Sequence, residues 1–364
     1  MFRAFFFLFL FFLPITTAPL PSIGVTYSAA TRHSPESITS ALNLLNLKSL
    51  RLEQPDPSII RSLLYTNITL FLTIPNYMVA PIAANRSIAL TWLYTYVIPF
   101  HPRVKITTIS VGNAFLDVYP RSISHLLTAI SHVHLSLRDL GIRHIAVSTS
   151  FSFFTAISSP FPPSAAQFQD PPGVTLFAPL LQFLHDTNSS FLINLYPYNL
   201  YRLRPEIPLG TALFQNYPFN FRDDFTTGVR YRNLFDIMVD AVVSALAVAG
   251  YESIPVVVTE TGWPSGSVAA NEAEANLGYA EIYLRGLVKH VRSGMGTPLL
   301  KDGVREVFVY EMFDDEGAGR KWGVFYPNCT FKYRIDLSCS YASEINTALI
   351  LFLLLLVWIC RLSD

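Results

Sequence analysis

Short, continuously apolar runs recur along the chain at 23–27, 49–52, 69–74, 106–111, 144–148, 191–195, 256–259 and 307–310. Unbroken rather than alternating hydrophobicity is the mark of strands covered on both faces, as in a parallel sheet. Between them lie stretches with apolar residues at helical spacing, clearest at 37–47, 122–140, 235–249 and 273–291. Eight strand–helix units predict an α/β chain folded as a (β/α)8 TIM barrel with some long loops. The competing doubly wound sheet loses ground because no G-x-G-x-x-G follows the first strand.

A barrel concentrates its chemistry at the carboxyl ends of its strands. Here those ends carry Tyr27, the Glu53-Gln54 pair, Pro75-Asn76, Asn113-Ala114, Thr149, Tyr196-Pro-Tyr198, Glu260-Thr-Gly-Trp263 and the segment from Glu311 to Asp315. They are polar and aromatic in an otherwise apolar chain, the mixture that holds sugars by stacking their apolar faces and bonding their hydroxyls. Glu260 stands out, because a carboxylate closing the run Ile254-Pro-Val-Val-Val-Thr259 is costly to bury unless a site uses it. Ser265 makes no nucleophile elbow, since Gly262-Trp-Pro-Ser265-Gly266 lacks the G-x-S-x-G spacing. His132 and His134 fall two apart on a predicted helix and do not share a face, so they form no metal pair. The sequence points to neither a cofactor nor a metal.

Composition adds location. Of 364 residues 51% are hydrophobic and 14% charged, with 26 Lys+Arg against 26 Asp+Glu. A chain with no basic excess is no nucleic-acid binder. Much of the hydrophobicity sits at the ends. Arg3, an apolar run over 4–13 and Thr16-Thr17-Ala18 make a secretory signal peptide over 1–18, cut after Ala18. The apolar run 348–360, with small residues at Ser338 and Ser340 before it, fits a removable lipid-anchor signal over 338–364. The domain between spans 19–337. Sequons at Asn67, Asn85, Asn188 and Asn328 predict a glycosylated, exported chain. Cys329 and Cys339 form a candidate disulfide, provided that the anchor is attached at Ser340 rather than Ser338. The expected product is a monomer at the cell wall or the outer face of the plasma membrane, touching membrane only through its anchor.

From Ile23 to about Pro327 the chain resembles the plant endo-β-1,3-glucanases, glycoside hydrolase family 17. The resemblance rests on Ile23-Gly-Val-Thr-Tyr27, Thr73-Ile-Pro-Asn76, Ile109-Ser-Val-Gly-Asn113, Val147-Ser-Thr149, Phe161-Pro-Pro-Ser164 and Ile193-Asn-Leu-Tyr-Pro-Tyr198. It continues through Val258-Thr-Glu-Thr-Gly-Trp-Pro-Ser265, Val307-Phe-Val-Tyr310, Met312-Phe313 and Trp322-Gly-Val-Phe-Tyr-Pro327. It implies retaining hydrolysis of β-1,3-glucan with Glu260 as nucleophile and Tyr27, Asn113, Tyr196, Trp263 and Phe313 against the sugar.

Two departures matter. Where the family has a glutamate after Asn113 as acid/base, this chain has Ala114, which cannot move a proton. Where the family has Arg-Leu/Ile-Tyr-Asp after the second strand, this chain has Arg51-Leu-Glu53-Gln54. Glu53, Glu311 and Asp117 are the carboxylates that could substitute. Two functions follow: a glucan endohydrolase with a replacement acid, or a wall glucan-binding protein on the same barrel with little turnover.

Overall fold

The computed structural model describes residues 21–28, 32–170, 173–333 and 335–337. The signal segment, Ser338, Cys339, Ser340 and the apolar tail lie outside them. Eight parallel strands close into a barrel: β1 Ser22–Tyr27, β2 Ser49–Leu52, β3 Thr69–Ile74, β4 Lys105–Asn113, β5 Ala146–Ser152, β6 Phe191–Asn194, β7 Val256–Thr261 and β8 Glu306–Val309. Strands pair in chain order, and β1 closes the ring onto β8 through Ile23 opposite Val307. This is the (β/α)8 architecture that the apolar runs predict. Among the described residues no helix is long and apolar enough to cross a membrane.

Alternation along each strand sorts side chains into two layers. Outward residues such as Val25, Leu50, Leu72, Val147, Val258 and Val309 join the large core under the helices. Phe71, Leu192, Val257 and Phe308 pack together inside the barrel, a small plug of apolar residues. Three of the outer helices start where the sequence supplies a cap: Ser34, Asn233 and Asn276 each accept a free amide in the first turn of Pro35–Leu44, Leu234–Val248 and Leu277–Arg292.

Two of the breaks in strand alternation serve the carboxyl mouth. In β7, Val258 pairs with Ile193 and Val307, but the next pairs are Glu260 with Asn194 and Thr261 with Val309. One residue is surplus to both neighbours, a β-bulge. Strict alternation from Val257 would turn Glu260 outward with Val258. The bulge turns it inward and sends Thr261 out to the Tyr283 hydroxyl at 2.7 Å. In β4, Ser110 pairs with Ser148 and Asn113 with Ser150, again one residue too many. Gly112 absorbs that bulge with a φ of 80°, and a Cβ there would meet the Asn76 Oδ1 at 2.9 Å. Asn113 thereby faces the barrel axis.

Candidate active site

Glu260 is 5% exposed and sits at the floor of the mouth. Its Oε1 accepts from the Arg51 Nη1 at 2.7 Å and the Asn113 Nδ2 at 2.8 Å, and its Oε2 from the Tyr196 hydroxyl at 2.6 Å. Only donors converge on it, which is the surrounding an ionised carboxylate requires. Arg51 is fully buried, with its guanidinium 5.4 Å from the Phe71 ring centroid. It points inward because β2 reads Ser-Leu-Arg-Leu and the two leucines take the outward positions. Burial and then the neighbouring Glu260 charge push the Tyr196 phenol well above its ordinary range, so it remains a donor.

Asn113 is held from several sides. Its backbone N–H donates to the Asn76 Oδ1 at 2.8 Å while the Asn76 Nδ2 donates to its carbonyl at 2.9 Å. Its Oδ1 accepts from the Asn194 Nδ2 at 3.0 Å, and the Asn194 Oδ1 accepts from the Thr259 hydroxyl at 2.6 Å. That chain fixes which end of the amide faces Glu260. The same Asn113 nitrogen also donates to the Glu53 Oε1 at 2.9 Å.

Glu53 therefore stands beside Glu260. Burial first, then the Glu260 charge, raise its pKa, with Arg51 and the Asn113 bond acting the other way. Glu311 is 2% exposed and bonded by Ser28, and burial pushes it up to about 8 against that bond. Three glutamates thus come from the ends of β2, β7 and β8.

Ala114 follows Asn113 in a left-handed conformation, φ 45° and ψ 40°, and presents only a methyl group. Asp117 is exposed and accepts a hydrogen bond from Thr155.

The aromatic expectations divide. Tyr196 borders Glu260. Trp263 is 1% exposed, wedged against Tyr198, Tyr201 and Tyr283, with its Nε1 donating to the Glu274 carbonyl at 2.8 Å. Its ring is closed in by those three tyrosines and forms part of the wall of the mouth. Tyr27 and Phe313 are likewise packed edge to face at 6.3 Å, and Phe313 stacks on His33 at 3.8 Å. The half-buried ring next to Tyr196, at 5.0 Å, is Trp322. It was legible only as part of the Trp-Gly motif. Arg51 had a clearer signal, a charge in the middle of a four-residue apolar strand.

Fold and site together define an α/β barrel whose mouth holds a carboxylate cluster of the glycosidase type. The pattern of glycosyl hydrolases family 17 matches residues 23–337, and the chain belongs to that family. Among curated relatives, glucan endo-1,3-beta-glucosidase 13 of Arabidopsis thaliana is 32% identical over 326 residues, covering 87% of this chain and 64% of its own length. Glucan endo-1,3-beta-glucosidase 2 of the same plant is 36% identical over 313 residues, covering 84% and 61%. The chain thus spans somewhat less than two thirds of those relatives. Among solved structures, CJP38, a beta-1,3-glucanase and allergen of Cryptomeria japonica pollen, superposes with a TM-score of 0.81 at 30% identity, covering 88% of this chain and all of its own. A structure from a study of two plant beta-glucan endohydrolases with distinct substrate specificities gives 0.78 at 31% identity, covering 86% and 99%.

Proposed function

We propose that the chain is a retaining endo-β-1,3-glucanase with Glu260 as nucleophile. The observation that carries this reading is the three-donor cradle of Arg51, Asn113 and Tyr196 around a carboxylate re-aimed by the β7 bulge. Glu260 attacks the anomeric carbon of the sugar, the glycosidic bond breaks, and a covalent glycosyl-enzyme forms that water later hydrolyses. Tyr196 and Asn113 hold the attacking oxygens in place. The glucan specificity is supported by the relatives, two glucan endo-1,3-beta-glucosidases and a beta-1,3-glucanase.

The second reading, a glucan-binding protein with impaired turnover, is favoured by Ala114 alone. General acid assistance is worth about 10²–10⁴-fold, and a methyl group supplies none. Export, lipid anchoring at the outer membrane face and glycosylation belong to the same proposal. All four sequon asparagines, Asn67, Asn85, Asn188 and Asn328, are exposed, which supports the last of these.

The test uses a 2-deoxy-2-fluoro-β-laminaribioside with a dinitrophenyl leaving group, which needs no protonation. The secreted protein should become labelled on the peptide containing Glu260, and Glu260→Gln should remain unlabelled. Absence of label, or label on another carboxylate, would overturn the nucleophile assignment.

A further inference from the structure

The family's acid position is empty of acid, yet Glu53 and Glu311 end strands beside Glu260, and geometry separates them. We propose that Glu53, at the end of β2, is the acid/base of this chain and does from the second strand what the residue at position 114 cannot do from the fourth. This rests on Glu260 being the nucleophile.

Glu53 Oε1 and Glu260 Oε1 accept from one amide nitrogen, at 2.9 and 2.8 Å. The two hydrogens of a planar amide diverge by about 120°, which sets the two acceptors on the order of 5 Å apart. Retaining glycosidases need their two carboxyl groups about 5–5.5 Å apart, so the Asn113 amide acts as a spacer of the right size. Access agrees. Glu53 is partly open to the mouth, as are Asn113, Ala114 and Tyr196, whereas Glu311 is closed off at 2% exposure and bonded by Ser28. A group that protonates a leaving oxygen must touch it, and Ser28 ties up the deeper Glu311 carboxyl. Asp117 is open but tied to Thr155 on the rim.

Charge also agrees. Facing Glu53 are Arg51, Glu260, Asn113, Tyr196, Tyr310 and Glu311. Burial and the Glu260 carboxylate favour its neutral form, the form a general acid starts in.

The step balances with water as the only co-reactant. Glu260 forms the bond to the anomeric carbon as the bond to the departing O3 breaks, and the Glu53 proton goes to that oxygen, leaving a hydroxyl. Glu53, now a carboxylate, takes a proton from water as the water oxygen bonds to the anomeric carbon. The Glu260 ester breaks, and both groups return to their starting states.

The experiment compares laminarin with dinitrophenyl β-laminaribioside in the full secreted chain. Glu53→Gln should lower laminarin kcat/KM by about 10²–10⁴-fold and remove the alkaline limb of its pH profile. With the activated substrate, the variant should still release a burst of dinitrophenol, then turn over slowly. Azide should restore that turnover and yield a β-glycosyl azide. Glu53→Asp, which keeps the carboxyl but withdraws it, should fall between. Ala114→Glu should add less than tenfold to laminarin turnover. Unchanged laminarin turnover in Glu53→Gln would overturn the assignment. So would native protein that is inert to laminarin yet labelled on Glu260, an outcome that leaves the nucleophile standing. If neither substrate reacts and Glu260 takes no label, the failure lies with the hydrolase reading, and this assignment falls with it.

Discussion

Arg51 and Glu260 meet at 2.7 Å inside the barrel, with side chains 0% and 7% exposed. Neither charge has a bulk-water shell to fall back on, so each is the other's main compensation. The Arg51 Nη1 also donates to the Thr259 carbonyl at 3.2 Å, while its Nε and Nη2 find no partner among the described residues. Removing one member of a buried pair costs about 3–5 kcal/mol, because the other is left charged and unpaired. Arg51→Met should therefore lower urea stability by that order, and label formation at Glu260 should be lost with it. A variant as stable as the parent would show that the pair is dispensable to the fold.

Asn113 contributes orientation rather than charge compensation. Asn113→Ala removes the one nitrogen common to Glu53 and Glu260 while leaving the Arg51 pair in place. Loss of a single preorganised donor costs about 10²–10³-fold in rate. The initial burst with the dinitrophenyl substrate should slow by that order. Thermal stability should change much less than in Arg51→Met. Equal losses in rate and stability would point to collapse of the mouth instead.

The pH dependence of stability carries the signature of Glu311. Its carboxyl is raised from an ordinary 4.5 to about 8, mainly by burial. Below pH 4.5 it is protonated in both folded and unfolded chains, and its relative stabilisation of the fold is complete. Between pH 4.5 and 8 the unfolded chain gives up the proton and the folded chain keeps it, so stability falls as pH rises. Glu311→Gln mimics the neutral form at every pH. The stability difference, variant minus parent, should grow from pH 5 to pH 8 in chemical denaturation. A flat difference would contradict a raised Glu311.

Ala114 occupies a left-handed conformation that costs an L-residue about 1–2 kcal/mol. Glycine visits that region freely but loses some unfolded-state entropy. Ala114→Gly should raise stability by about 1 kcal/mol in urea unfolding. A destabilised variant would mean that the methyl group contributes more by packing than the backbone loses.

The barrel was legible because eight apolar runs are long enough to be strands and too short to be core helices. The runs at 49–52 and 69–74 coincide with β2 and β3, and the others shift by one to four residues at an end. The site was legible in part. Glu260, Asn113 and Tyr196 announce themselves as polar residues after apolar runs, and the structure brings the three together. The bulges were not legible from hydrophobicity, since Val258, Thr259 and Glu260 read as one unbroken run whichever way each points. Only Gly112 hinted at one of them. The aromatic side chains are hard to read for a related reason. Trp263 and Phe313 follow strand ends, but a barrel rim needs large rings to seal it as well as rings to hold ligand, and sequence position does not separate the two.

The surplus residue in β7 makes the chemistry a matter of counting. Straighten that bulge with every residue kept, and the strand's apolar composition and every acidic and amide side chain of the mouth would still be present, but alternation from Val257 would turn the glutamate to the helices with Val258. Remove the surplus residue instead, and the glutamate follows Val258 directly and faces the axis without any bulge. A chain of this kind can lose its nucleophile without losing a single functional group, so in comparing related barrels the spacing and the bulge before the glutamate have to be read together.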